Sequence, residues 1–134
     1  MLDASVTLSW FIDTPVPAYA MKVRQALESG VGAIVPAIWH LEIANALAVS
    51  ERRGILTADD VALSLVQIEH LLTQDIESDN TFISAKQALT VARSFQLSAY
   101  DGVYLQTALN EGLPLATLDR ALRSAAEKSG VKLF

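Results

Sequence analysis

The 134-residue sequence contains no cysteine, which excludes disulfides and thiolate metal sites. Its two histidines, His40 and His70, fall on separate predicted helices with no third ligand spaced for zinc, so both read as core or surface residues. No apolar run reaches the roughly 18 residues needed to span a bilayer. Charge is scarce at 19% of residues, below the globular range. Basic charge is scarcer still, with ten Lys and Arg against fifteen Asp and Glu and a net charge of −5. Phosphate contacts require basic patches, so this balance at first argues against a nucleic-acid partner. There is no internal repeat, low-complexity tract or linker. No basic segment leads into a signal core, because Asp3 comes at once. The expectation is a soluble cytoplasmic protein.

What is present is apolar: 51% of the chain is hydrophobic. That length and composition suit one domain, residues 1–134, with a single core. They also suit surface buried against a second copy of the chain or a partner. Met1-Leu2 is a short apolar start, a clipped first strand if it is one. Ser5 is placed to cap a helix from Val6 to Ile12. Pro15 and Pro17 interrupt, and Ala18 to Ser29 returns to helical spacing, closed by Gly30. Gly32 to Pro36 reads as a buried strand, followed by a helix from Ala37 to Arg53. Thr57-Ala-Asp-Asp60 is a capping box for a further helix with Val61, Leu65, Ile68 and Leu72 on one face.

Asp75 to Asp79 suits a short edge strand, and Thr81 to Phe95 an amphipathic helix. Ser98 to Asn110 is a helix, Leu113 to Thr117 a third strand, Asp119 to Ser129 a last helix and Val131 to Phe134 a last strand. Short apolar strands alternating with helices imply an α/β fold of three α/β/α layers, its mostly parallel sheet covered on both faces.

Four acids stand where chemistry collects in such a fold. In open parallel sheets the ligand site lies beyond the carboxyl ends of the strands. Asp3 and Asp119 fall there, though either alone is more often a helix cap, and Thr117 can share that capping work. Asp101 has a complete local reading as well, because Ser98-x-x-Asp101 is a capping box and the helix dipole favours an acid in a first turn. Tyr100, Gly102 and Tyr104 around it suit the flank of a cleft. Glu42 is harder to explain as a surface residue. It lies among Ile38, Trp39, Leu41, Ile43, Ala44 and Ala46, with Asn45 one turn on, and a buried charge needs a partner. A polar stripe shared with Arg52 or His40 is the alternative. Trp10 and Trp39 lie in apolar stretches and read as core rather than as base-stacking platforms.

Leu2-Asp3-Ala-Ser5, Glu42-Ile-Ala-Asn45, Ser98-Ala-Tyr-Asp101-Gly-Val-Tyr104 and Ala116-Thr117-Leu-Asp119-Arg120-Ala-Leu122 occur in that order over nearly the whole chain. In these four pieces the sequence resembles PIN-domain ribonucleases, and most closely the VapC-type toxins of toxin–antitoxin modules. The resemblance implies a parallel sheet of about five strands. It implies an acidic metal site at Asp3, Glu42, Asp101 and Asp119, with Ser5, Asn45 and Thr117 as accessory positions. A homodimer and a cognate antitoxin protein are implied partners, and RNA the substrate.

The chemistry is coherent with that likeness. Oxygen-only ligands favour Mg²⁺, with Mn²⁺ also suited, over zinc. Four carboxylates close together ionise cheaply only when cations neutralise them. Setting these four aside leaves 11 acids against 10 bases, which weakens the charge objection to RNA. The expected activity is that of a metal-dependent endoribonuclease. Two other readings compete. A phospho-signalling receiver domain needs paired acids after its first strand and a late lysine, and neither is present. A catalytically silent PIN-fold protein-binding module needs no metal, and it leaves the intact acid set unexplained.

Overall fold

Glycine, proline and capping residues punctuate the chain, and between the breaks lie seven helices and two strands in a computed structural model that describes residues 1–134. In order these are α1 (Ala4–Ile12), α2 (Ala18–Glu28), β1 (Ala33–Pro36), α3 (Ile38–Arg52), α4 (Ala58–Gln74), β2 (Ile76–Asp79), α5 (Ala85–Phe95), α6 (Ala99–Glu111) and α7 (Arg120–Ser129). Three helix starts follow directly from side-chain caps. The Thr57 hydroxyl accepts from Asp60 N at 3.1 Å while the Asp60 carboxylate accepts from Thr57 N at 2.9 Å. Ser84 and Gln87 exchange bonds in the same way at the head of α5. That pairing is why α5 begins at Ala85 rather than at Thr81, whose N–H goes to the Asp79 carboxylate instead. Ser98 caps α6 through Asp101 N at 3.0 Å. Helix α1 departs from expectation: it begins at Ala4 with Asp3 at the cap position, and Ser5 lies inside it.

The sheet is thinner than the expected five strands. Only β1 and β2 form a ladder, parallel and in the register Ala33 to Ile76 through Pro36 to Asp79. The other three segments join as single contacts. Leu2 N donates to Ile34 O at 2.9 Å, Leu2 bridges Ala116 in parallel, and Leu115 bridges Leu133 in parallel. The physical reason is length. Only Met1 and Leu2 precede Asp3, the cap residue of α1. Pro114 has no N–H to donate ahead of Leu115, and Thr117 already turns toward α7. The five segments therefore lie side by side, but three of them are too short to count as strands.

Helices enclose this layer: α1 packs on α2 and α3, α4 on α3 and β2, and α6 on α5, α7 and β1. Trp39, Tyr104, Leu2, Leu47, Leu105, Leu115, Leu122, Val6 and Val35 form the closed centre of the core. Both tryptophans belong to the core, and Trp10 also ties α1 to α2 through Nε1 to Ala20 O at 2.9 Å. Gly102 packs against α5 rather than lining a cleft. A Cβ there would lie 3.2 Å from Ala88 O and 3.5 Å from Ala92 N, so only glycine lets α6 approach so closely. The apolar face of α4 is looser than its spacing predicts. Ile68 is buried, whereas Leu65, Leu63 and Val66 are exposed, because α4 has only α3 and β2 to cover it. No helix is long and apolar enough to cross a membrane.

Candidate active site

Asp3 stands where the short segments give way to helix, and its carboxylate turns away from the helix it begins. The side chain makes no cap bond to α1. Its Oδ2 instead accepts the hydroxyls of Ser5 at 2.5 Å and of Thr117 at 2.6 Å. Both hydroxyls act twice. Ser5 Oγ accepts from Leu118 N at 3.0 Å, and Thr117 Oγ1 accepts from Asp119 N at 3.0 Å. Thr117 is completely buried and Asp3 nearly so. The bridge between Leu2 and Ala116 brings these residues together from opposite ends of the chain.

Glu42 reaches the same region from α3. Its Oε2 accepts the hydroxyl of Tyr104, on α6, at 2.5 Å. Tyr104 is fully buried, so the sequence places this tyrosine wrongly at a cleft edge: it belongs to the core and presents only its hydroxyl to the acid. A signal for it was present. Tyr104 lies three residues after Asp101, on the same face of one helix. Tyr100, by contrast, is 60% exposed and outside this network.

Asp101, in the first turn of α6, is half-buried, and its Oδ2 accepts the Ser98 hydroxyl at 2.7 Å. Asp119 is exposed and caps α7, its Oδ1 accepting from Leu122 N at 2.7 Å. It connects to Asp3 only through Thr117. Asn45 is exposed and joins no side-chain hydrogen bond, although it lies one turn beyond Glu42.

The electrostatics are one-sided. Burial is the main cause that raises the Asp3 carboxyl above the usual range; the Ser5 and Thr117 hydroxyls oppose it, and the charge of Asp101 adds to it. Burial also raises Glu42, with the Tyr104 hydroxyl opposing and the charges of Asp3 and Asp101 adding. Asp3, Glu42 and Asp101 are therefore near enough to destabilise one another as anions. No basic side chain relieves them. The single ion pair in the chain is Arg24 with Glu28 on α2. The basic residue nearest to this network by bonding is Arg123. It donates to Thr117 O at 3.3 Å and lies over the Tyr19 ring, 5.4 Å from its centroid. As the side chains lie, no three acids or histidines stand together as ligands of one ion. What fits a cation is the donor chemistry: hard oxygen donors, partly desolvated, mutually repelling and without a counter-charge.

An apolar hollow of about 320 Å³ lined by Met1, Val23, Leu27, Ile34, Leu113 and Phe134 contains none of these acids. It contributes no polar group that chemistry would use.

Comparison with known proteins agrees with this arrangement. The family model described as PIN domain matches residues 1–128. The crystal structure of PAE2754 from Pyrobaculum aerophilum is similar in fold, with a TM-score of 0.69 at 20% identity, covering 92% of this chain and 82% of that one. No curated protein matches the sequence. A match over nearly its whole length, together with the shared fold, establishes that the chain belongs to the PIN domain family.

Proposed function

We propose that this protein is a metal-dependent endoribonuclease of the VapC type, the toxin of a type II toxin–antitoxin system. Membership of the PIN domain family supports nuclease chemistry in general. The observation that carries the reading furthest is the uncompensated charge around Asp3. A buried carboxylate whose neighbours Glu42 and Asp101 are also acidic, with no basic partner, is costly unless a cation joins them.

Asp3, Glu42 and Asp101 would hold that cation, Mg²⁺ or Mn²⁺, and Asp119 would hold it or position water. When bound, the divalent cation supplies charge that promotes deprotonation of a water and offsets the negative charge gathering on the phosphate. The chain's own residues prepare the site. Ser5 and Thr117 fix the Asp3 carboxylate, Tyr104 fixes Glu42, and Ser98 fixes Asp101. Exposed apolar side chains, among them Leu41, Leu63 and Val66, offer surface for a homodimer and for an antitoxin. The place of action proposed is the cytoplasm, where RNA is present.

The test is cleavage of labelled RNA by the wild type and by Asp3→Asn and Glu42→Gln. Loss of a carboxylate that stabilises transition-state charge is expected to slow cleavage on the order of 100-fold or more. Variants as fast as the wild type contradict the assignment. If the wild type neither cleaves RNA nor binds Mg²⁺ or Mn²⁺, the silent binding module is the better description.

A further inference from the structure

The four acids share a pattern that their separate surroundings do not require. One oxygen of each is engaged by the protein: Asp3 Oδ2 by Ser5 and Thr117, Glu42 Oε2 by Tyr104, Asp101 Oδ2 by Ser98, and Asp119 Oδ1 by Leu122 N. The other oxygen of each receives no side-chain donor. The bonds to Asp101 and Asp119 arise within helix caps, where such contacts are ordinary. The bond to Glu42 does not. Its donor lies 62 positions away on another helix, and Tyr104 is fully buried. Its hydroxyl is thereby tied to this one carboxylate, with no exchange for bulk water.

We infer that Tyr104 and Ser98 are positioning residues that restrict Glu42 and Asp101 to one free oxygen each, and that the site thereby selects Mg²⁺ over Ca²⁺. This rests on the metal-site reading above and adds to it which cation the second layer of the site admits. Ca²⁺ takes six to eight oxygen ligands and often grips a carboxylate by both oxygens. Mg²⁺ takes six at short range, keeps several waters and needs one or two carboxylate contacts. Carboxylates that each offer a single oxygen satisfy the smaller ion and leave the larger one short of ligands. Such outer contacts orient the ligands and set which ion they hold.

The test is calorimetric titration of the full chain with MgCl₂ and, separately, with CaCl₂, for the wild type, Tyr104→Phe and Ser98→Ala, each checked for folding by its melting curve. Tyr104→Phe keeps the ring and removes only the hydroxyl, freeing Glu42 Oε2. The expected result is that the ratio of Mg²⁺ to Ca²⁺ affinity falls about tenfold in Tyr104→Phe, and falls in the same direction in Ser98→Ala. A merely structural role would weaken both ions alike. An unchanged ratio in the folded Tyr104→Phe protein overturns the inference while leaving the metal site standing. If Tyr104→Phe does not fold, Ser98→Ala decides by the same ratio, because its change lies on an exposed cap. Absence of Mg²⁺, Mn²⁺ and Ca²⁺ binding by the wild type overturns the inference together with the reading it rests on.

Discussion

Tyr104 and Glu42 lie on different helices, and a 2.5 Å hydrogen bond joins the core to the acid cluster through them. The ring of Tyr104 is fully buried while Glu42 is half-buried, so one tyrosine both fills the core and fixes a carboxylate. Removing the hydroxyl leaves Glu42 without its donor. We expect Tyr104→Phe to lower stability by about 1 kcal/mol in metal-free buffer, a modest value because solvent reaches part of Glu42. Urea unfolding in EDTA measures it. No loss of stability would mean that the bond is exchanged freely for water.

The pH dependence of stability has a definite sign. Burial raises the Asp3 and Glu42 carboxyls in the folded protein, so in the window above their ordinary values of 3.8 and 4.5 the folded state holds protons that the unfolded state has released. Stability from these groups is therefore full below that window and is lost as pH rises through it. Asp3→Asn is expected to melt higher than the wild type at pH 7 to 8 in EDTA, with the difference closing toward pH 4. Thermal melts over that range check it. A variant less stable than the wild type at pH 8 contradicts the account.

Metal binding should carry the complementary signature. Groups that retain protons must release them to act as ligands, so Mg²⁺ affinity is expected to rise with pH through the same window and binding to release protons. Titrations in two buffers of different ionisation heat detect the release. Affinity independent of pH would place the cation away from Asp3 and Glu42.

Gly102 makes a structural prediction that reaches the site. An added Cβ meets the Ala88 carbonyl at 3.2 Å, backbone that yields little, so Gly102→Ala is expected to cost about 1–3 kcal/mol. Because Asp101 precedes it on α6, Mg²⁺ affinity should fall as well. Unfolding and titration of the same sample separate the two effects.

Much of this arrangement is legible in the sequence, and the exceptions have physical causes. The Thr57 capping box, the edge strand near Asp75 to Asp79 and the glycine stops at Gly112 and Gly130 depend on neighbours within a few residues, so local pattern suffices. Strand length is not local. Leu113 to Thr117 and Val131 to Phe134 have strand composition, yet each makes a single bridge because Pro114 and the adjoining helices limit the pairing.

The acid cluster divides the same way. The cap roles of Asp101 and Asp119 can be read from spacing, and the buried setting of Glu42 from its apolar helix. What spacing could not supply is the joining of Asp3 to Thr117, 114 positions apart, or the role of Tyr104, since tertiary packing alone brings those groups together.

The most direct measurement is cleavage of labelled total RNA by purified protein with Mg²⁺ or Mn²⁺, beside an EDTA control and the Asp101→Asn variant. Discrete products that require metal and disappear in the variant are the predicted result. Equal products in every lane, or none in any lane from a protein that also fails to bind either metal, would contradict it.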